Sequence, residues 1–162
     1  EHTELLKRGK AGKPIEFGHK VLICQTGEKF IHHYKVMPKR IEDKELLEPA
    51  IEAHQELFGH YPDLLSTDKG FYESMKQISS LEEKISVVSI AKKGRRNQEQ
   101  YERETSEQFI NGQRFRAGSE GSISVLKRAF KLGKCYFKGF KNYAASVGLA
   151  VLCHNLVLLT RL

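Results

Sequence analysis

Apolar residues in the first forty positions are grouped in the way that short β-strands require. Phe17 to Gln25 has the run Val21-Leu22-Ile23 at its centre, and this pattern predicts a strand with a buried middle. A turn at Thr26-Gly27-Glu28 separates it from a second predicted strand, Phe30 to Met37, which Pro38 ends. The two segments together predict a β-hairpin.

The next fifty residues change to helical spacing and then alternate between helix and strand. Glu42 to Phe58 predicts a helix that stops at Gly59. Asp63 to Asp68 predicts a short strand, Tyr72 to Glu83 a helix, and Ile85 to Ile90 a second apolar strand. Two strands joined by a helix through short connections predict a parallel pair with a crossover.

The last third of the chain is polar first and strongly apolar at its end. Lys92 to Gln108 has no apolar periodicity and predicts either a loop or a solvated helix. We expect a helix from about Ser119 to Phe130, with a core-facing stripe of Ile123, Leu126 and Phe130. A second helix, Tyr143 to Leu159, contains an apolar run shorter than the roughly 20 residues of a membrane span, which predicts a buried helix.

Composition adds a basic character to this α/β pattern. The chain has 162 residues, which suits one domain with its own core, and a formal charge of +7, which favours a polyanionic partner. Its three cysteines form no CxxC pair, which predicts a reducing compartment. The first residue is Glu1 and not Met, so we expect the chain to be a piece of a longer protein. No charged segment followed by an apolar one comes after it, so we expect no secretory signal.

Asp68 is the first candidate for chemistry. It ends an apolar strand and Gly70 follows closely, and the region beyond the carboxyl ends of strands is where open α/β sheets bind ligands. A carboxylate there is a plausible metal ligand. The structural alternative, a cap or turn aspartate, is about three times as common for an isolated residue of this kind.

Glu120 is the second candidate, because it is the only acidic residue between Asn111 and Lys141. A helix that begins near Ser119 places it beside the apolar stripe and among cations. The structural alternative is a surface ion pair with Arg116 or Lys127, and the spacing alone does not choose between the two roles. The eight basic residues in this segment are Arg114, Arg116, Lys127, Arg128, Lys131, Lys134, Lys138 and Lys141.

The two carboxylates support each other as a predicted metal site. Phosphoryl transfer on DNA uses carboxylates from separate elements to hold two metal ions about 4 Å apart. Mg²⁺ prefers such hard oxygen ligands, and cations around Glu120 would bind DNA phosphates.

The segment Gln113 to Arg128 resembles the final-glutamate helix of insertion-sequence DDE transposases. Those enzymes often carry a Tyr-Arg-Glu-Lys signature with two, three and six residues between its members. Arg116, Glu120 and Lys127 match the last three members, and Gln113 stands in place of the tyrosine.

Three further segments resemble the same family in the right order. Gly9 to Lys20 is similar to the approach to its second strand, Leu64 to Phe71 to the strand with its second aspartate, and Val151 to Arg161 to its terminal helix. The family's first aspartate lies on the central strand of its sheet, and no strand predicted here offers it. We expect that aspartate and its strand upstream of Glu1.

The resemblance implies a fold and domain organisation. It implies an α/β, ribonuclease-H-like mixed sheet flanked by helices and lacking its first, central strand. We expect one partial catalytic domain over residues 1–162, composed of an extended leading segment (1–14), a sheet with crossover helices (15–92), a polar connector (93–110) and the final-glutamate and C-terminal helices (111–162).

The resemblance also implies a function, DNA transposition by Mg²⁺- or Mn²⁺-dependent hydrolysis and strand transfer. Its partners would be transposon-end and target DNA, without a membrane, and a second copy in a homodimer of the full-length protein, in the bacterial cytoplasm at the nucleoid. Asp68 and Glu120 would be the metal ligands, with Arg116 and Lys127 as the other catalytic residues. The expected phosphate contacts are Lys10, Lys13, Arg114, Arg128, Lys131 and Lys134.

Other functions remain open at this stage. Because the first of the family's three carboxylates is missing from this chain, the isolated chain is expected to be inactive. The alternative is a catalytically dead remnant that binds DNA non-specifically. A related nuclease of the same fold fits the Arg-Glu-Lys spacing less well. Cys24 with His32 and His33 lacks zinc-site spacing, and Cys153 is expected to be buried and inert. The basic run Lys92 to Arg96 is either a DNA contact or a solvated loop.

Overall fold

The computed structural model describes residues 4–10, 13–134 and 136–162, with side chains described from residue 18 onward in those ranges. The chain divides into two compact units, of which the first combines Glu1–Ile41 with Ser122–Leu162 and the second is Glu42–Gly121. Each unit mixes helices with short strands. The α/β class expected from the sequence is therefore confirmed.

The first unit begins with two antiparallel pairs of strands. β1 (Glu4–Lys10) pairs with β2 (Lys13–Gly18). β3 (Val21–Gln25) pairs with β4 (Ile31–Val36), and this confirms the predicted hairpin. In its turn the backbone N–H of Thr26 donates to the carbonyl of Phe30 at 2.8 Å.

The prediction of one strand from Phe17 to Gln25 is wrong at its start. β2 ends at Gly18 and β3 begins at Val21, and a glycine inside an apolar run weakens a strand at that position. The run Val21-Leu22-Ile23 is half-buried instead of buried. Side chains on a strand are buried only where another layer packs on that face of the sheet.

The C-terminal helix α5 (Phe140–Leu159) packs against the hairpin through one face. Asn155 accepts a hydrogen bond from the backbone N–H of Ile31 at 3.0 Å and donates to its carbonyl at 2.9 Å. Nε2 of buried His154 lies 3.2 Å from the carbonyl oxygen of Lys29. Both polar residues therefore have hydrogen-bond partners within a packed face of the helix.

The prediction that this apolar helix is buried is wrong for most of its surface. Only 22% of its most apolar 18-residue window is buried, and by length and composition alone the helix could cross a membrane. The face that packs carries Val147, Ala150, Val151 and His154, whereas large apolar residues also occupy the opposite face. Because apolar residues lie on every side of the helix, the sequence does not indicate which face is packed. The exposed residues are Leu149, Leu152, Leu156, Val157 and Leu159.

The second unit contains the helix–strand alternation that the sequence predicts. α1 (Leu47–Phe58) ends at Gly59, whose φ of 78° is the left-handed conformation that glycine adopts readily. β5 (Leu64–Thr67), α2 (Met75–Glu82) and β6 (Val87–Ile90) follow.

β5 and β6 pair in parallel, which confirms the predicted crossover. A short 3₁₀-helix, Lys69–Phe71, follows β5, and the helix predicted from Tyr72 starts later because Ser74 caps it. The core of this unit gathers aliphatic side chains from α1, α2 and β6, with Ile78 and Ile90 fully buried.

Two further helices begin within the segment that was expected to be a polar connector. α3 (Gln98–Thr105) is a helix, the second of the two alternatives for that stretch, but Gln100 and Glu104 on it are buried instead of solvated. α4 (Glu107–Arg128) begins well before the predicted start at Ser119. The three glycines in α4 weaken its apolar periodicity, and so the sequence does not indicate the early start of the helix.

The predicted core-facing stripe of α4 is wrong in part. Ile123 is 36% exposed, whereas Phe109 and Leu126 are buried. Phe130 lies beyond the end of the helix and is partly buried against the core of the first unit. The boundary between the two units falls inside α4, and so Glu120 belongs to the second unit and Lys127 to the first.

Candidate active site

Asp68 directly follows the last residue of β5, at the carboxyl end of the parallel pair. Its Oδ1 accepts a hydrogen bond of 2.8 Å from the backbone N–H of Lys69, so the carboxylate caps the 3₁₀-helix. The structural role considered from the sequence is therefore present. The residue is also exposed, and a carboxylate has about four lone-pair sites, so capping leaves room for a further ligand.

The first half of α4 packs very closely on the two strands. Ser66 Oγ donates to the carbonyl oxygen of Gly112 at 2.7 Å, and Ser89 Oγ donates to that of Phe109 at 2.9 Å. A Cβ at position 112 would stand 2.5 Å from Ser89 Cβ, well inside van der Waals contact. The helix can lie this near to the strands because residue 112 is glycine.

Gln113 bonds to the same strands with its side-chain amide. Its Nε2 donates to the carbonyl of Ser89 at 2.6 Å, and lies 3.1 Å from Ser89 Oγ and 3.5 Å from the carbonyl of Thr67. Its Oε1 accepts from Nε of Arg116 at 3.3 Å. Thr67 immediately precedes Asp68, and so this amide connects the strand that ends at one candidate carboxylate with the helix that carries the other.

Arg116 and Glu120 form an ion pair one helical turn apart. Nη1 of Arg116 lies 3.5 Å from Oε1 of Glu120, and the two side chains are 27% and 69% exposed. A pair this exposed contributes under about 1 kcal/mol to stability. The contact therefore adds little to the stability of the helix, and the carboxylate stays open to solvent.

The two candidate carboxylates fit a hard divalent cation, although they supply few ligand atoms. Asp68 and Glu120 offer carboxylate oxygens, which Mg²⁺ and Mn²⁺ prefer, and Mg²⁺ commonly binds through one or two carboxylates while it keeps several waters. Glu120 follows Gln113 by about two helical turns, or about 10 Å along the axis. In the part of the chain that the structure describes, no group of three or more His, Cys, Asp or Glu side chains is placed to hold a metal.

The basic loop at residues 92–96 is held in place at the end of β6. Buried Glu104 accepts from the backbone N–H of the first loop residue at 2.8 Å and pairs with Nε of Arg96 at 3.1 Å. Lys93 Nζ lies 3.5 Å from the carbonyl oxygen of Gly70, two residues after Asp68. The loop thus brings cations to the edge of the sheet that carries the candidate carboxylate.

Beside this loop lies a shallow, open cleft of about 450 Å³. Arg114 contributes to it from α4, and its Nη1 donates to Oδ1 of Asn111 at 3.3 Å. The guanidinium of Arg114 is exposed to solvent. The cleft is lined by Ala91, Arg96, Glu104, Phe109, Ile110, Gln113, Arg114 and Ala117.

The remaining cations predicted to contact DNA lie in the first unit. Lys127 and Arg128 form the last turn of α4, Lys131 and Lys134 follow it, and all four are exposed. Lys10 and Lys13 are opposite each other in the β1–β2 ladder, and their side chains lie outside the described part of the structure. Exposure makes the four described cations available to phosphates.

Cys24 has the character of a structural cysteine. Burial raises the pKa of the Cys24 thiol to about 11, so little thiolate is present at neutral pH. Burial, with the nearby Lys35, lowers the pKa of His33. Cys153 is half-buried instead of buried as expected, and Cys135 lies outside the described residues.

Four residues that organise the site are missed by the sequence reasoning or given no role in it. Ser66, Ser89 and Gly112 are small, and together they let α4 approach the strands. Gln113 enters the sequence reasoning only as a departure from the family signature. A usable signal was present, because a polar serine in the middle of each of two apolar strands needs a hydrogen-bond partner.

Comparison with known families finds one family model that matches the chain. The family model described as transposase DDE domain matches residues 6–156. Neither the curated proteins nor the solved structures include a match to the chain. Because the family model covers nearly the whole sequence, from β1 through most of α5, the chain belongs to the transposase DDE domain family.

Proposed function

We propose that the chain takes part in DNA transposition by metal-dependent hydrolysis and transfer of phosphodiester bonds, with Asp68 and Glu120 as metal ligands. The observation that supports this most directly is the Gln113 amide, which bonds both to the strand end before Asp68 and to the arginine that pairs with Glu120. Gln113 thereby contacts both the residue before one exposed carboxylate and the arginine that pairs with the other.

In this proposal each residue has a limited task. A divalent ion bound at the carboxylates would polarise a phosphodiester and lower the pKa of a bound water. Arg116 orients Glu120, and Lys127 binds the backbone of the transposon end. Arg114, Arg128, Lys131 and Lys134, with Lys10 and Lys13, supply further phosphate contacts.

The proposal also includes the arrangement of the sheet. The parallel β5–β6 pair with its α2 crossover and the antiparallel β3–β4 hairpin are the strand types that a ribonuclease-H-like mixed sheet contains. The same proposal includes DNA partners, namely the transposon ends and the target. It also includes a homodimer that bridges two ends and a location at the bacterial nucleoid.

The alternative is a DNA-binding protein without catalysis. The described residues supply two candidate ligands and no group of three acids at one point, and this observation favours the alternative. A cleavage assay separates the two functions, because a binding protein retains DNA without cutting it.

The protein expressed from its complete reading frame is expected to nick supercoiled plasmid DNA in Mg²⁺ or Mn²⁺. The nicking should stop when EDTA is added. The ion supplies part of the transition-state stabilisation, so its removal should lower the rate below detection. Gel separation of supercoiled and nicked DNA measures the rate. Tight DNA binding without any nicking, in either metal, would support the non-catalytic alternative instead.

A second prediction concerns the cations after Glu120. Changing Arg128, Lys131 and Lys134 to glutamine should reduce the slope of log K against log salt by about 0.9 for each phosphate that the protein no longer neutralises, because fewer counterions are released. Fluorescence anisotropy with duplex DNA over a salt series measures that slope.

The matched control removes three exposed lysines that lie among acidic side chains in the second unit. The variant Lys44→Gln, Lys76→Gln, Lys84→Gln has the same net charge change and should keep the original slope. An equal reduction of the slope in both triple variants would mean that net charge, and not this surface, governs DNA binding.

A further inference from the structure

We infer that Gln113 is a positioning residue for the Glu120 carboxylate, acting through Arg116. The inference rests on the proposed function, in which Glu120 is a metal ligand. It assigns a task to the one position of the signature where this chain departs from the family, and the task follows from the contacts of the amide group alone.

The surroundings of Gln113 fix which way its amide points. The nitrogen end is 2.6 Å from a carbonyl oxygen, that of Ser89, so this end must be the donor. The other end is 3.3 Å from Nε–H of Arg116, so it must accept. Rotating the amide by a half turn would place two acceptors together at Ser89 and two donors together at Arg116.

Fixing Arg116 at Nε leaves its terminal nitrogens free to reach forward along the helix. Nη1 then lies 3.5 Å from Oε1 of Glu120. Arginine has many rotamers, and a hydrogen bond at Nε favours those that keep this atom beside Gln113. Gln113 therefore limits where the guanidinium can lie, and the guanidinium limits where an otherwise exposed carboxylate lies.

Two other hydrogen bonds also hold the helix on the strands. Ser66 and Ser89 bond to the carbonyls of Gly112 and Phe109 independently of the Gln113 side chain. Removing the amide should consequently leave α4 on the strands and release Arg116. A purely structural role predicts the reverse, namely a loosened helix with no specific effect at Arg116.

The test uses Gln113→Met, which keeps the length of the side chain and removes both polar ends. Gln108→Met is the matched control, since Gln108 is an exposed glutamine on the same helix. In the first readout, NMR measures solvent exchange of the Arg116 Nε–H in the 162-residue chain. Gln113→Met should speed this exchange about tenfold, as removal of one hydrogen bond predicts, and Gln108→Met should not.

The second readout is the Mg²⁺ concentration that gives half-maximal DNA cleavage by the complete protein. It should rise about tenfold in Gln113→Met, in the range found for partners of metal ligands, with a smaller change in the limiting rate. In a double-mutant cycle with Arg116→Met, the second substitution should raise the half-maximal Mg²⁺ concentration little further, because both substitutions act through one guanidinium. Additive effects would overturn the inference.

The outcomes separate this inference from the proposed function. Slow exchange at Arg116 in Gln113→Met overturns the inference, whatever the metal response. Fast exchange together with a protein that never cleaves DNA supports the contact and overturns the proposed function. If Gln113→Met fails to fold while Gln108→Met folds, the amide holds the helix in place and the positioning role is wrong.

Discussion

Asp68→Asn and Glu120→Gln are each expected to reduce metal-dependent DNA cleavage by about a thousandfold or more. Each substitution removes a negatively charged ligand and leaves a side chain of nearly the same size. Metal ions contribute several kcal/mol to such reactions, and each 1.4 kcal/mol or so is tenfold in rate. Plasmid nicking by the complete protein measures the rate, and urea denaturation measures stability in parallel.

The fold should survive both substitutions for reasons visible at each position. Asparagine is as good a helix cap as aspartate, so residue 68 can still accept the hydrogen bond from the N–H of Lys69. Glutamine at position 120 loses only an exposed ion pair with Arg116. A large fall in rate with unchanged unfolding would therefore be chemical in origin.

Matched controls lie on the same two elements. Asp63 precedes β5 and so stands at the opposite end of the strand from Asp68, and Glu107 is in the first turn of α4. Asp63→Asn and Glu107→Gln should cut DNA at the original rate. If the Asp68 and Glu120 variants also cut normally, the two carboxylates are structural and the metal assignment is wrong.

The parallel strands were predictable because their signals are local. β5 and β6 are short apolar runs, each followed by a change to polar residues, and a helix with its own apolar spacing lies between them. The position of Asp68 at a strand end follows from the same pattern. Its cap bond to Lys69 depends only on neighbours in sequence, and so the sequence was sufficient to suggest it.

The start of α4 was not predictable in the same way. Its first half is held by polar contacts with residues about twenty to fifty positions away in sequence, such as Ser66 to Gly112 and Ser89 to Phe109. Apolar periodicity cannot register contacts of this kind, and glycine lowers the expectation of a helix. The link from Gln113 to Arg116 was missed for a related reason, because it requires the strand carbonyls to be in place first.

The apolar C-terminal helix illustrates the opposite failure. Its strong hydrophobicity predicts more burial than the structure has. Apolar residues on every face favour burial of the whole helix, yet α5 packs through one face while Leu149 and Leu152 on another are more than half exposed. Hydrophobicity indicates that a surface can be buried. It does not specify which partner covers it, and that information is absent from the helix itself.

Gly112→Ala is expected to destabilise the second unit by about 2 kcal/mol or more, although alanine is the better helix former by about 1 kcal/mol. The added methyl would meet Ser89 Cβ at 2.5 Å, Ser89 Oγ at 2.8 Å and a methyl of Leu64 at 3.3 Å. Ser89 is fully buried, so it has no room to move aside. Urea denaturation followed through NMR signals of Ile78 and Ile85 measures the destabilisation.

Gly118→Ala is the control for helix propensity, because nothing lies within 4 Å of a Cβ there and the substitution should stabilise the helix. The clash also has a specific remedy. Ser89→Gly removes both of the nearest atoms, and in the Gly112→Ala background it should restore about 1 kcal/mol or more, a coupling of the size found between residues in contact. Equal effects of alanine at positions 112 and 118 would show that close packing of α4 on the strands does not limit stability. The position of α4 on the strands would then depend on the hydrogen bonds that Ser66 and Ser89 donate to its backbone.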